Sequence, residues 1–594
     1  MTRLKTLTVV HPEPGYRTFE TSVFLVGAVS VGNGLKMEVN QGEPFSVDAT
    51  ASGYFSQQID LIDGENMLLL QEVDQGDHVL ETLSLEIIRE RPKAVLSKKI
   101  LDVELESVTL QGTVIVQPGE EITMGFQATP GAQVSVQVPG FSDVPAAFQE
   151  QQHLAFIDNR RTIFAQLHQT THRIPGKGYY QGSFTVPSLM AELMPTNLTV
   201  PVTALVSDGE EAQSIDLPAT ITVWEGARKA TLTATNPDGR IVCRTGPGDH
   251  FARLTPQCNG VPVWVDGLQH GYYRLRFSQN RIVWVEKKSV CFTSFEPQSN
   301  PLPVSTAVLP LIEVQTDSAN KSTLRLPLNH PVPLEIQVAE QTLTLTLFDT
   351  VSGCDFIREA MGASPICHVG WQQTDPTTVE LTVDLQDASA GYDYGFDDSG
   401  FWLQVKTLSA NPMDTVILLD PGHGGEETGT KGPSGLPEKD LNLTVAMLFQ
   451  EALQAAGFAN VHLTRTDDSE VSLFDRQATA QKTEADLILS LHHNALPDGR
   501  DPQAVQGASC YYYHSFSKPL ARKLQQALVT DAGCPDYGLF YDSLFLPRIH
   551  MGVSVLIELG FFTHPDEFER LCDPAFQKQA VSALVVGLKR YLSI

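Results

Sequence analysis

The spacing of hydrophobic and polar positions changes character once along this chain. Up to about residue 410, short strand-type alternations are broken by Gly, Pro, Asn and Asp at roughly 8–12-residue intervals, the pattern of sandwiches and barrels. GYFSQQIDLIDGENMLLLQEV has such runs on either side of the turn signal DGEN, and VTLQGTVIVQPG, AQVSVQVPG and ATITVWEG repeat the pattern. It predicts a β module over 1–95, a second sandwich over 96–226 and a further β segment over 227–293. A proline-bearing linker, FEPQSNPLPVSTAVLP, is expected over 294–310, followed by another β module over 311–412. Beyond Pro412 the period changes. VILLD, VHLTR, ADLILSLH, ASCYYYH and VSVLIELGFF read as strands and alternate with helical patterns, such as Leu441, Val445, Leu448, Ala452 and Ala456, or Phe576, Ala580, Leu584 and Leu588. This predicts a wound α/β domain over 413–594, with ligands expected beyond the carboxyl ends of its strands.

Length and charge narrow the function classes. A chain of 594 residues exceeds a single hydrophobic core. Its formal net charge of −29 argues against nucleic acid as a partner, since phosphate binding needs a cationic face. No apolar run is long enough for a transmembrane segment. The start, MTRLKTLTVVHPEPGYR, offers only TLTVV ahead of His11, too short for a signal-peptide core. No export signal is therefore expected, and a cytoplasmic location stays open. The eight cysteines include no CxxC. Cys354 and Cys367 suit either a disulfide in an oxidising compartment or buried free thiols.

The strand ends carry the chemistry. VILLDPGH ends on His423, ADLILSLHH on His492 and His493, and VSVLIE on Glu558, while Glu438 opens the helix after the first loop. HExxH is absent, but a sheet brings separate strand ends side by side. Two imidazoles and a carboxylate suit Zn²⁺ and leave a fourth position for water, whose pKa zinc lowers to about 7. A further carboxylate can take the water's proton and return it to a leaving amine. Glu558, within an apolar strand, suits that role because desolvation raises its pKa. Glu426 completes an H-x-x-E with His423 and is a rival chelator; otherwise it is a solvated glutamate beside Glu427. His462, His514 and His564 read as structural, and His550 as either structural or groove-lining. Asp420 is expected to orient His423 or cap its turn, Asn494 to hold the loop bearing His492, and Arg465 and Arg476 to form internal ion pairs.

DPGHGG, a glutamate opening the next helix, S-x-H-x-N-A and an E-x-G-F strand end occur here in that order. Together they resemble the zinc-dependent N-acetylmuramoyl-L-alanine amidases over residues 415–594. The resemblance implies one Zn²⁺ in the catalytic domain, held by His423, Glu438 and His492, with Glu558 as the catalytic residue. It implies cleavage of the amide between the lactyl group of N-acetylmuramic acid and L-alanine of the stem peptide, and it favours Glu438 over Glu426. His493 stands where the family often has a small residue. Neighbouring strand side chains face opposite ways, so His492 is taken as the ligand and His493 as a surface or supporting residue. Regulated members carry a long insert with an inhibitory helix after the third strand. LPDGRDPQAVQG has no apolar periodicity, so an open site is expected.

Upstream, residues 14–95 resemble bacterial immunoglobulin-like modules. Arg244-Thr245-Gly246-Pro247-Gly248, Tyr273-Arg274-Leu275 and Trp284-Val285 resemble bacterial SH3-like domains, many of which bind cell-wall components. For Tyr272, Tyr273 and Trp284 burial in the barrel core is the favoured reading. STLRLPLNHPVPLEIQVAEQTLTLTLFDT, VELTVDLQ and GYDYGFDDSGFWLQVKTL resemble an AMIN domain. The combined expectation is a multidomain peptidoglycan hydrolase of the cell envelope, with peptidoglycan or muropeptides as its partner. A zinc peptidase acting on the stem peptide and a non-catalytic wall-binding protein are the alternatives.

Overall fold

The computed structural model describes residues 7–90, 101–141, 145–151, 153–156, 172–175, 178–187, 199–298, 306–339, 341–360 and 364–594. Residues 1–6 of the amino-terminal segment and 299–305 of the expected linker lie outside them. Among the described residues before 410 the regular elements are β-strands, apart from 3-10 turns at Leu105–Ser107 and Lys287–Ser289. Residues 7–90 form a three-stranded and a five-stranded sheet. Alternation turns Val23, Leu25, Phe55, Leu68, Leu70, Leu85 and Ile87 into one buried core.

The boundary expected at 226 is not a break in the sheet. Gly112–Val116 pairs with Ala212–Val223 on one side and, through Ile115 and Leu268, with Pro262–Gln269 on the other. The second and third β segments thereby share one fourteen-stranded sheet, because an edge strand left unpaired accepts the next segment's strand. The expected linker is also partly strand: Val290–Gln298 runs into it and Ala307–Leu309 lies at its far end. Cys354 is buried and Cys367 exposed, and both are free thiols, so neither the disulfide nor a fully buried pair forms.

In the last domain the elements are β1 (Ile417–Pro421), α1 (Glu438–Ala455), β2 (Val461–Leu463), α2 (Leu473–Lys482), β3 (Leu487–Asn494), β4 (Ala508–Tyr512), α3 (Lys518–Thr530), β5 (Asp536–Tyr541), β6 (Val553–Phe561), α4 (Pro565–Cys572) and α5 (Pro574–Leu592), of which β5 and the short α4 were not read from the sequence pattern. The sheet order is β2-β1-β3-β6-β4-β5. The first four of these strands are parallel, and β4 runs antiparallel to β6. Ile417, Leu419, Leu487, Leu489, Val553 and Val555 join the core that includes α1, α3 and α5. Leu418 and Ile488 point the other way, onto Ala480 of α2 and Leu546. Covered on both faces, these strands are apolar without alternation.

That same core continues into the preceding β segments. Within the seam Lys406 reaches the carbonyls of Glu484 (2.6 Å) and Ala485 (3.1 Å) and the carboxylate of Asp486 (2.6 Å). Both charged groups are nearly buried. Lys406→Met would strand Asp486 without its cation, at an expected cost of about 3–5 kcal/mol; urea unfolding followed by fluorescence checks this, and an unchanged midpoint would contradict it.

Candidate metal centre

His423, Glu438 and His492 offer ligand atoms that lie within 4.8 Å of one another. Glu438 is the hub. Its Oε2 lies 3.2 Å from His423 Nε2, and its Oε1 accepts from His492 Nδ1 at 3.0 Å. Its remaining acceptor capacity is filled by the Thr430 amide (3.1 Å), the His493 amide (3.1 Å) and Asn442 Nδ2 (3.0 Å). Its place at the first turn of α1 adds the positive end of the helix dipole. Burial alone would raise the Glu438 pKa, but the two imidazoles hold it well below the usual carboxylate range. For His423 burial opposes protonation, yet Glu438 and Glu427 outweigh it and raise its pKa.

The loop after β1 is built around the histidines. His423 sits at a φ of +62°, a region that non-glycine residues rarely occupy and that is held only by surrounding structure. Arg476 supplies that hold, donating to the carbonyls of His423 (2.8 Å) and Pro421 (2.8 Å) and to Asp420 (2.5 Å). Among the described residues Arg465 forms no comparable ion pair; it donates to the carbonyls of Pro421, Gly422, Lys439 and Asp467. The expected ion pair is therefore made by Arg476, while Arg465 satisfies a turn whose carbonyls converge on it. Asp420 accepts from Thr464, Ser490 and Arg476 and does not touch His423. It acts on the histidine's loop through Arg476. The glycines have a specific reason. A Cβ on Gly422 would fall 2.1 Å from the His492 ring, and one on Gly429 2.4 Å from Glu438 Oε2.

Glu558 lies beside this cluster, its residue in register with His492 on the adjoining strand. It is buried, and its Oε2 has no hydrogen-bond partner among the described residues. Burial, then the charge of Glu438, raises its pKa well above the ordinary value. His493 is not at the surface: it is buried and donates from Nδ1 to Asn442 Oδ1 at 2.7 Å, and burial pushes its pKa down to about 4. It braces Asn442, which in turn holds Glu438. Glu426 is exposed on the turn and stands outside the cluster. Its neighbour Glu427 accepts from His423 Nδ1 at 3.1 Å, a role that H-x-x-E spacing hides and the i, i+4 separation could have suggested.

Asn494 accepts from the Ala495 amide at 2.8 Å. His462 is exposed, and His564 caps α4. His514 donates to the Arg548 carbonyl at 2.9 Å. His550 lies ahead of β6, beside Tyr392 and Tyr394 and away from the metal cluster. The connection from β3 to β4 contains no helix. It is fastened instead to the amino-terminal module: Asp498 accepts from His11 (2.9 Å) and Tyr16 (2.6 Å), and Gln503 donates to the Ser56 carbonyl (2.6 Å). Between the two lies a cavity of about 600 Å³, walled by His11, Tyr16 and Phe24 on one side and Thr430, Leu496 and Asp498 on the other.

Residues 417–590 match the family model described as N-acetylmuramoyl-L-alanine amidase. A solved N-acetylmuramoyl-L-alanine amidase from Clostridium difficile 630 is 32% identical, with 97% of that chain and 30% of this one covered, at a TM-score of 0.29. The chain belongs to the N-acetylmuramoyl-L-alanine amidase family. Its C-terminal region is a peptidoglycan amidase domain. The uncharacterized protein YqiI of Bacillus subtilis (strain 168) is 32% identical over 188 residues, 88% of its length and 31% of this chain. The amidase LytC of the same strain is 32% identical over 196 residues, 32% of this chain but only 38% of LytC. The similarity to these relatives spans about a third of this chain.

Two imidazoles and one carboxylate are the donor set of a three-ligand Zn²⁺ site with an open position. The unpartnered Glu558 oxygen beside them fits a group that must meet a water or substrate. Gly422→Ala is expected to displace the His492 ring and weaken zinc binding at least tenfold, the low end for disturbed metal sites; competitive chelator titration checks it. Asp420, buried against Arg476, has a lowered pKa despite its burial. Its stabilising contribution is full above the unfolded value near 3.9 and is lost as pH falls through the lower folded value. Acid unfolding of Asp420→Asn should accordingly lack that final low-pH loss.

Proposed function

We propose that His423, Glu438 and His492 hold Zn²⁺ and that Glu558 is the catalytic acid–base of an amide hydrolysis. The bond cut is that between the lactyl group of N-acetylmuramic acid and L-alanine of the stem peptide. The observation that carries the reading is one buried carboxylate shared by two imidazoles, with a second buried carboxylate, its pKa raised by burial, beside it. The bound ion would polarise the scissile carbonyl and lower the pKa of a water to about 7. Glu558 takes the proton from the attacking water and delivers it to the departing L-alanine nitrogen, the exchange its raised pKa favours. Glu427 orients His423 through Nδ1, and Asn442 with His493 fixes the Glu438 carboxylate. The substrate approaches by the cavity between residues 7–90 and the loop after β3.

The β segments are read as positioning modules: immunoglobulin-like over 1–95, a second sandwich over 96–226, SH3-like over 227–293 and AMIN-like over 311–412. The alternating strands and the RTGPG entry motif support these identities. With such modules the enzyme works on peptidoglycan in the cell envelope. Among the described residues no helix is long and apolar enough to cross a membrane.

Glu558→Gln is expected to keep its zinc and to lose between 10² and 10⁴ of its rate, the range for a general acid–base. Mass spectrometry of digested sacculi should show stem peptides beginning at L-alanine for the native enzyme; cleavage within the stem would mark a peptidase instead. Glu438→Ala should lose zinc and Glu426→Ala retain it, and the reverse pattern would move the ligand to Glu426.

A further inference from the structure

A second cavity, of about 660 Å³, opens where the third β segment, the fourth β module and the catalytic domain meet. None of its lining residues belongs to the metal cluster. Its catalytic-domain wall comes from α2, from residues 513–515 after the antiparallel β4, and from 545–550, which lead into β6. His492 and Glu558 sit near the other ends of β3 and β6.

Five arginines line this cavity, among the carboxylates of Asp238, Asp249, Glu286 and Glu335, and three of the five are held in ion pairs. Arg240 pairs with Asp393, Arg244 with Asp249 and Arg281 with Glu335. Arg253 and Arg548 line the same space, and neither has an ion pair among the described residues. Arg548 donates to the Ser543 carbonyl and rests on the Phe545 ring, 5.5 Å from its centroid. Burial, and then the neighbouring Arg253, pushes its pKa down to about 10. Burial and Arg244 likewise lower that of Arg253. Half-buried guanidinium groups crowded together are unfavourable unless an anion lies between them, and a guanidinium fork fits carboxylate or phosphate oxygens in pairs. Phe474, Phe545 and Tyr513 supply flat walls for the body of a ligand.

We propose that this cavity is an anion-binding site in which Arg253 and Arg548 take the carboxylate or phosphate of a small ligand seated against the aromatic wall. The site is independent of the metal cluster and of the reaction assigned to it. Calorimetric titration of the full chain with inorganic phosphate and with L-alanyl-D-glutamate tests it, the dipeptide diamide serving as the neutral control. Binding of phosphate alone assigns a phosphate-bearing ligand, and binding of the dipeptide assigns a carboxylate-bearing one. In either case Arg253→Gln and Arg548→Gln should each weaken binding at least tenfold, with zinc content and melting temperature unchanged. Arg253→Lys, which keeps charge but loses the fork, should fall between. If neither anion binds, if the diamide binds as well as the acid, or if both glutamine variants bind normally, the proposal is wrong.

Discussion

Burying the Glu438 carboxylate is the constraint around which the catalytic domain is organised. An ionised carboxylate removed from water costs several kcal/mol unless it is paired and fully hydrogen-bonded. Here two imidazoles, two backbone amides, one asparagine and a helix N-terminus meet that requirement together. The consequences spread outward. Gly422 and Gly429 must lack side chains because the groups that satisfy Glu438 occupy that space. His423 must adopt a positive φ to reach it, a strain of about 1–3 kcal/mol that the arginine bonds to the loop carbonyls resist.

The same constraint separates the two acids. Glu438 and Glu558 are both buried on neighbouring elements, yet one pKa falls and the other rises. Glu438 has taken the cationic partners, so Glu558 meets desolvation and a like charge only. Two carboxylates with opposed tendencies are the usual arrangement when one must stay ionised and the other must exchange a proton. Environment, not residue type, divides the labour.

Much of this was legible in the sequence. Strand-end histidines and a helix-opening glutamate predict convergence because parallel strands place their carboxyl ends together, and that is where His423, Glu438 and His492 meet. The α/β alternation was readable because both sheet faces are covered and the periods are strong. Other features had no local signal. His11 and Asp498 are separated by 487 residues, and nothing in MTRLKTLTVVHPEPGYR marks His11 as a clasp for the loop after β3. His550 follows a proline and precedes a strand, as a groove residue would, but it precedes the wrong end of that strand. The shared sheet at Ile115 and Leu268 was hidden for the same reason: alternation tells a strand's period, not its neighbour.

The amino-terminal module and the β segments before β1 are joined to the catalytic domain by different chemistry, and the difference bears on the approach to the metal cluster. The Lys406 seam lies within continuous apolar core, and burial at about 25 cal/mol per Å² accumulates over such an area. The clasp beside the metal cluster is polar and partly exposed. His11 is about a third exposed, with a side-chain accessibility of 31%, and pairs of that kind contribute roughly 0–1 kcal/mol. The Tyr54 and Phe568 rings, 5.1 Å apart, add an aromatic contact nearby of about 0.5–1.5 kcal/mol. The wall that borders the metal cluster is therefore the weaker of the two joins.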